Sequence, residues 1–425
     1  MGKQRKTNSG IYIIGALFFI FGFVTWLNNI LIPFLKTACE LTDFQASFVP
    51  FAFYISYFVM AVPSSFILKK SGFGNGMALG LVVMAIGSIL FVPAALNRNY
   101  VLFLTGLFVQ GVGLSLLQTA SNPYVMILGP IESAAQRISI MGICNKIAGM
   151  IGILTLFSVL FGNTEGLTEA IKTCTDPAQK ELLLQSLANR VVLPYIIMTL
   201  ILIVLVLFIR AAKLPEVTEE ESADPQHSAV HRSVFSYPYL WLGAMAIFFY
   251  VGAEVIAIDF LVNYGDFYGI NIAISKNFGV FALIALITGY FLGIVTVPRF
   301  LSQRQALIVQ LFVAMVLITV ALCTQGLISI MAIIMLSFAH AIMWPAIWPL
   351  SIHNLGKHTK TGSALLIMAI AGGAILSLVY GKLSDIYNPQ KAYALLFVSY
   401  AYILFFALSG YKKEKNHNSL KITNY

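Results

Sequence analysis

The sequence predicts an all-α membrane protein of twelve transmembrane helices in two six-helix pseudo-symmetric halves. Three observations predict it. Of 425 residues, 59% are hydrophobic and 10% charged, with a mean hydropathy of +0.86. A soluble domain is about 25% charged, so most of this surface is built for a solvent other than water. Apolar runs long enough to cross a bilayer core of about 30 Å recur along the chain. One long hydrophilic segment, 213–238, divides those runs six and six.

The runs lie near 11–35, 47–68, 76–97, 100–127, 136–161, 190–212, 239–264, 276–297, 304–323, 325–352, 360–381 and 390–410. Helices are expected because each backbone polar group in a bilayer must be satisfied within its own segment. The first run, about 25 residues, is long for the apolar stretch of a signal peptide and reads as a span.

Orientation follows from Lys and Arg. With the N-terminus inside, the outer segments hold Lys36, Arg98, Lys172, Lys180, Arg190, Lys276, Lys382 and Lys391, and the inner segments about twice as many. Both ends are therefore expected in the cytoplasm. The boundaries read as an N-terminal half over 1–212, a linker over 213–238 rich in acids (Glu216, Glu219, Glu220, Glu221, Asp224), and a C-terminal half over 239–425. A short internal repeat supports two related halves. Gln118-Thr-Ala-Ser-Asn122-Pro123 in the fourth helix lies on Trp344-Pro-Ala-Ile-Trp348-Pro349 in the tenth, with Leu-Gly following both.

A net charge of +9 is accounted for by basic loops and tails, and no aromatic-basic stripe points to nucleic acid. The four cysteines are widely spaced and show no metal-site spacing. Cys144 and Cys323 fall in apolar runs; Cys39 and Cys174 fall on one side of the membrane, which leaves a disulfide open. The spans contain no nucleophile–base set, so neither an enzyme nor a cofactor or metal is expected.

Three charges lie where a bilayer makes them costly. Lys146 is mid-span in the fifth helix, and Glu254 and Asp259 are in the seventh. Each costs roughly 2.5–3.5 kcal/mol on an insertion scale, so they must pair, face the interior or meet water. Two readings stay open: a static ion pair clipping the halves, or an ion-coupling cluster in an aqueous cavity. Glu254 and Asp259 are roughly 140° apart around a helix, so they cannot share one partner unless the helix is distorted. His340, mid-span in the tenth helix, is a packing residue or a proton relay.

Amides come next. Asn28, Asn29, Gln118, Asn122, Asn145 and Asn263 lie on four helices. Amides both donate and accept, which suits a ligand made of hydroxyls, although a single one more often ties helices together. Trp344 and Trp348 are one turn apart, each followed by Pro; they offer aromatic faces, and the prolines predict a bent helix.

Several stretches together resemble the fucose–galactose–glucose:proton symporters, a branch of the major facilitator superfamily. They are Phe23-Val-Thr-Trp-Leu-Asn-Asn-Ile-Leu-Ile-Pro33, Gln118-Thr-Ala-Ser-Asn-Pro-Tyr-Val125, Arg137-Ile-Ser-Ile-Met-Gly-Ile-Cys-Asn145, Tyr250-Val-Gly-Ala-Glu-Val255 and Gly362-Ser-Ala-Leu-Leu-Ile-Met-Ala-Ile-Ala-Gly-Gly373. The resemblance covers about residues 11–410, and the set with Lys146, Glu254 and Asp259 is most similar to glucose/galactose or N-acetylglucosamine transporters. It implies the major facilitator fold and alternating access to a sugar. Two departures matter. The fucose type has an Asp in helix 1 and a Glu in helix 4, and the matching Asn29 and Gln118 cannot titrate. The charged motif between helices 2 and 3 is reduced to Lys69-Lys-Ser-Gly-Phe-Gly-Asn-Gly76.

The expected function is hexose or N-acetylhexosamine:proton symport by a monomer in the cytoplasmic membrane of a bacterium. The sugar is expected on the amides and tryptophans, and coupling on Lys146, Glu254, Asp259 and His340. Sodium coupling, uncoupled transport and a non-transporting sugar receptor stay open.

Overall fold

The computed structural model describes residues 15–127, 134–161, 170–171, 173–211, 237–297, 299–352, 355 and 359–410. Among these no strand is present, and twelve helices are long and apolar enough to span a membrane. They are α1 Gly15–Ala38, α2 Asp43–Leu68, α3 Lys70–Leu96, α4 Tyr100–Ser121, α5 Ile140–Leu160, α6 Pro177–Ala211, α7 Pro238–Asp259, α8 Ile272–Thr296, α9 Gln303–Cys323, α10 Gly326–Ile352, α11 Thr361–Ile386 and α12 Pro389–Leu408. The protein is thus a multi-pass membrane protein. Most of the linker expected over 213–238 lies outside the described residues.

The hydropathy reading over 190–212 finds the second part of α6, Val192–Ala211, but misses its first part, the helix Pro177–Asn189, which a turn at Arg190 and Val191 joins to it. Gln179, Lys180 and Glu181 hide this first stretch from an apolar count. The cap shows it: Asp176 accepts the Ala178 N–H at 3.1 Å, and Pro occupies the first turn, where its missing N–H costs nothing. Gln185 of this stretch donates to the Ala95 carbonyl at 2.9 Å, and Glu181 meets Arg98 at 2.6 Å.

Prolines and a glycine place the bends. α10 is interrupted between His340 and Met343. Pro345 has no N–H to offer the carbonyl four residues earlier, that of Ala341, and its ring crowds it. Two residues into α3 the chain turns at Gly72, φ 74° and ψ 171°, a conformation open to glycine and strained for any other residue. α7 stops at Asp259, and a short helix, Leu261–Phe267, follows after Phe260.

The halves meet along three helix pairs. α1 packs on α7 and its short continuation, α2 on α11, and α5 on α8. Within the halves, two backbone contacts occupy equivalent places under six-helix pseudo-symmetry. A Cβ on Gly22 of α1 would lie 1.8 Å from the Asn145 carbonyl of α5, and one on Gly372 of α11 would lie 1.9 Å from the Phe248 carbonyl of α7. Small residues let membrane helices approach this closely, where apolar side chains gain little over lipid.

Large apolar residues such as Phe66, Leu207, Phe300 and Val316 are exposed, as a lipid-facing surface requires. The four cysteines are free thiols, Cys39 and Cys174 included. Burial pushes the Cys39 thiol, just beyond α1, up to about 11, against the opposing pull of Arg98.

Candidate functional site

The site is a chain of contacts that crosses between the halves. It begins on α1, where the Trp26 indole N–H donates to Asn145 Oδ1 at 3.3 Å. Asn145 Nδ2 donates in turn to the Phe18 carbonyl at 3.3 Å. The next residue on α5, Lys146, holds its Nζ 4.3 Å from the Trp26 ring centroid, a cation–π contact. The same Nζ lies 3.8 Å from Glu254 Oε1 on α7, with both side chains 12% exposed.

Tyr250, one turn before Glu254, brings its hydroxyl within hydrogen-bonding reach of that carboxylate. Its ring meets Trp344 on α10 at 6.2 Å, and Trp344 stacks on Trp348 at 5.2 Å with a 30° tilt. Tyr290 of α8 approaches Glu254 from another side. The Lys146–Glu254 pair therefore lies between α1 and α5 of one half and α7, α8 and α10 of the other. Two opposite charges 3.8 Å apart attract by about 4 kcal/mol at an effective dielectric near 20. Most of that is offset by desolvation. Such a balance lets a pair be held or exchanged without a large net cost.

The remaining candidates divide by burial. Gln118 is half-buried on α4. Trp344 and Trp348 are also half-buried and stack on each other. Asn145 spends its amide on α1, so it positions Trp26 and Lys146. His340 is fully buried in the C-terminal half, its Nε2 2.8 Å from the Tyr400 hydroxyl and its ring edge-on to Tyr250. Asn263 is 8% exposed, with Nδ2 unpartnered. Asp259 is fully buried, and neither carboxyl oxygen accepts a hydrogen bond. The side chains of Asn28, Asn29 and Asn122 lie outside the described residues.

Trp26, Tyr250 and Tyr290 were not singled out as site residues from the sequence. Tyr250 carried a usable signal, since it shares a helix face with Glu254. Trp26 and Tyr290 did not, because an aromatic residue in an apolar run reads as packing. Two surface hollows of about 300 and 430 Å³ lie elsewhere, at the end of the bundle where α2 begins, beside Phe44 and Lys382 and beside Glu40 and Lys180. No group of three or more His, Cys, Asp or Glu able to hold a metal occurs among the described residues.

Twelve spanning helices whose halves meet at a partly accessible charged pair define a membrane transporter, not an enzyme. The chain belongs to the Major Facilitator Superfamily, whose sequence pattern matches residues 14–372. It is 36% identical over 413 residues to a protein named glucose/galactose transporter from Brucella abortus biovar 1 (strain 9-941), covering 96% of each chain. It is 30% identical over 410 residues to the L-fucose-proton symporter of Escherichia coli (strain K12), covering 93% of each. The crystal structure of the E. coli fucose:proton symporter superposes with a TM-score of 0.72 over 93% of this chain and 97% of that one, at 29% identity.

Proposed function

We propose that this transporter carries a hexose or N-acetylhexosamine together with a proton, by alternating access. The carrying observation is the contact chain Trp26–Lys146–Glu254–Tyr250–Trp344–Trp348, which joins both halves through charge and aromatic faces. The names of the two relatives support a sugar, and that of the fucose symporter supports a proton.

The sugar sits between the halves, its ring on Trp344 or Trp348 and its hydroxyls on Gln118, Asn122, Asn28 and Asn29. Lys146 and Glu254 clip the halves, and rocking exchanges their partners. The protein sits as a monomer in the cytoplasmic membrane of a bacterium with both termini inside. Residues 1–212 and 239–425 form the two halves, and 213–238 is the cytoplasmic linker. In this orientation the end where α1 finishes and α2 begins faces outward.

Purified protein in proteoliposomes, challenged with a panel of monosaccharides and followed with a pH electrode, tests the reading. Proton entry with a hexose is the expected outcome. Exchange without accumulation against a gradient refutes symport. Sodium coupling is the second reading, favoured by Asn29 and Gln118, which cannot take up a proton where the fucose type has acids. Uptake that requires sodium and ignores an uncoupler would establish it.

A further inference from the structure

We infer that Asp259 holds the coupling cation, while Glu254 is the fixed counter-ion of Lys146. The inference rests on the symport reading above and assigns its ion. The two carboxylates differ in their surroundings. Glu254 is 12% exposed and has a cation 3.8 Å from Oε1, although that oxygen accepts no hydrogen bond. Asp259 is fully buried, and both its oxygens lack a hydrogen-bond donor. A bare carboxylate in that position loses its hydration with nothing in return, a cost of several kcal/mol.

The backbone adds to the demand for positive charge. α7 ends at Asp259. The partial negative charge of a helix C-terminus therefore falls where the carboxylate already is. Asn263, one turn on, keeps a buried Nδ2 without an acceptor. It is a donor that a vacated carboxylate can recruit when the cation leaves.

The charged groups acting on Asp259 are Glu254 on its own helix and Lys146 on α5, and Lys146 is already engaged. From α11 and α12, Tyr380 packs on the next residue, Phe260, at 4.7 Å and Tyr393 on Tyr264 at 5.0 Å. The step is simple. A proton forms one O–H bond on Asp259, or a sodium ion sits on its two oxygens, and no bond in the sugar breaks. Sugar between the halves then meets an α7 whose one remaining charge, Glu254, is paired with Lys146, so it can rock without dragging an unpaired charge through an apolar interface.

The test uses full-length protein in proteoliposomes with D-glucose and D-galactose, with and without sodium, reading the pH electrode and counterflow. Wild-type protein takes up the cation with sugar. Asp259→Asn is expected to lose cation uptake and the pH or sodium dependence of counterflow, while exchanging sugar at a reduced rate. Glu254→Gln is expected to keep cation uptake and lose rate. Asp259→Asn that still takes up the cation with sugar overturns the inference and leaves symport standing. Wild-type protein that moves no cation overturns both. A sodium requirement abolished by Asp259→Asn upholds the inference and replaces the proton. If Asp259→Asn does not fold, Asp259→Glu serves: a shifted pH or sodium midpoint is expected, and an unchanged one overturns the inference.

Discussion

Asp385, at the end of α11, accepts the backbone N–H of Asp43 at 3.0 Å and that of Phe44 at 3.1 Å, so one half of the molecule caps a helix of the other. Ser384 donates to Asp43 Oδ2 at 2.6 Å, and Lys36 at the end of α1 pairs with the same carboxylate. The first N–H groups of a helix need acceptors, and a side chain usually supplies them from the residue just before. Here Thr42 caps the third position, and Asp385 serves the two before it. This latch ties the two halves together at one end of the bundle.

Removing it should shift the transporter toward opening at that end. Asp385→Ala should cost about 1 kcal/mol, as for loss of a helix cap, or about a fivefold change in the conformational equilibrium. Ser47 lies fully buried beneath the latch. A Ser47→Cys reporter, with the native cysteines replaced by Ser, should then react faster with a membrane-impermeant maleimide. Unchanged labelling would show that the latch does not hold this end closed.

The Lys146–Glu254 pair should behave as a unit. Lys146→Ala alone leaves Glu254 partly buried without a cation, and should cost roughly 1–3 kcal/mol after allowing for its exposure. Lys146→Ala with Glu254→Ala should recover part of that loss. A double-mutant cycle on thermal stability measures the coupling, and simple additivity would argue against a pair.

The aromatic faces should carry ring recognition. Trp344, which touches both Tyr250 and Trp348, should weaken sugar binding by about tenfold when replaced by Ala, because an aromatic contact is worth up to about 1.5 kcal/mol beyond its area. Trp344→Phe should keep most of the affinity. Titration calorimetry with the transported sugar provides the comparison.

Cys39 offers a pH test of the same end of the molecule. Its thiol ionises at about 11 instead of 9.0. A raised value favours the neutral thiol, which is the unreactive form. Maleimide labelling of Cys39 should therefore stay slow at pH 7–9 and rise only as pH approaches that value. Four reactive thiols on denaturation without reductant would show that Cys39 and Cys174 are unpaired, and two would show a disulfide.

The spans were legible because a bilayer leaves few alternatives to an apolar helix. The break at Ala341 could be read from Pro345, and Lys146 stood out as a lone base in a greasy run. The divergence of Glu254 and Asp259 also followed from helical geometry, and only Glu254 reaches Lys146. The latch was not legible. Asp43 and Asp385 look like ordinary helix-end acids, and they meet across a separation of 342 residues. Trp26 was hidden for a related reason, since only the fold brings its ring under Lys146.

The close approaches at Gly22 and Gly372 have a mechanical consequence. With backbone against backbone, α1 with α5 and α7 with α11 have no side-chain cushion to shear, so each couple tilts as one beam. Substituting Ala at either glycine should lower the melting temperature, since the Cβ would meet a carbonyl at under 2 Å. Lys146 rides on the first beam and Glu254 on the second. Their separation therefore reads the angle between the beams directly, and a pair of spectroscopic labels on α5 and α7 would act as a protractor for the transport cycle.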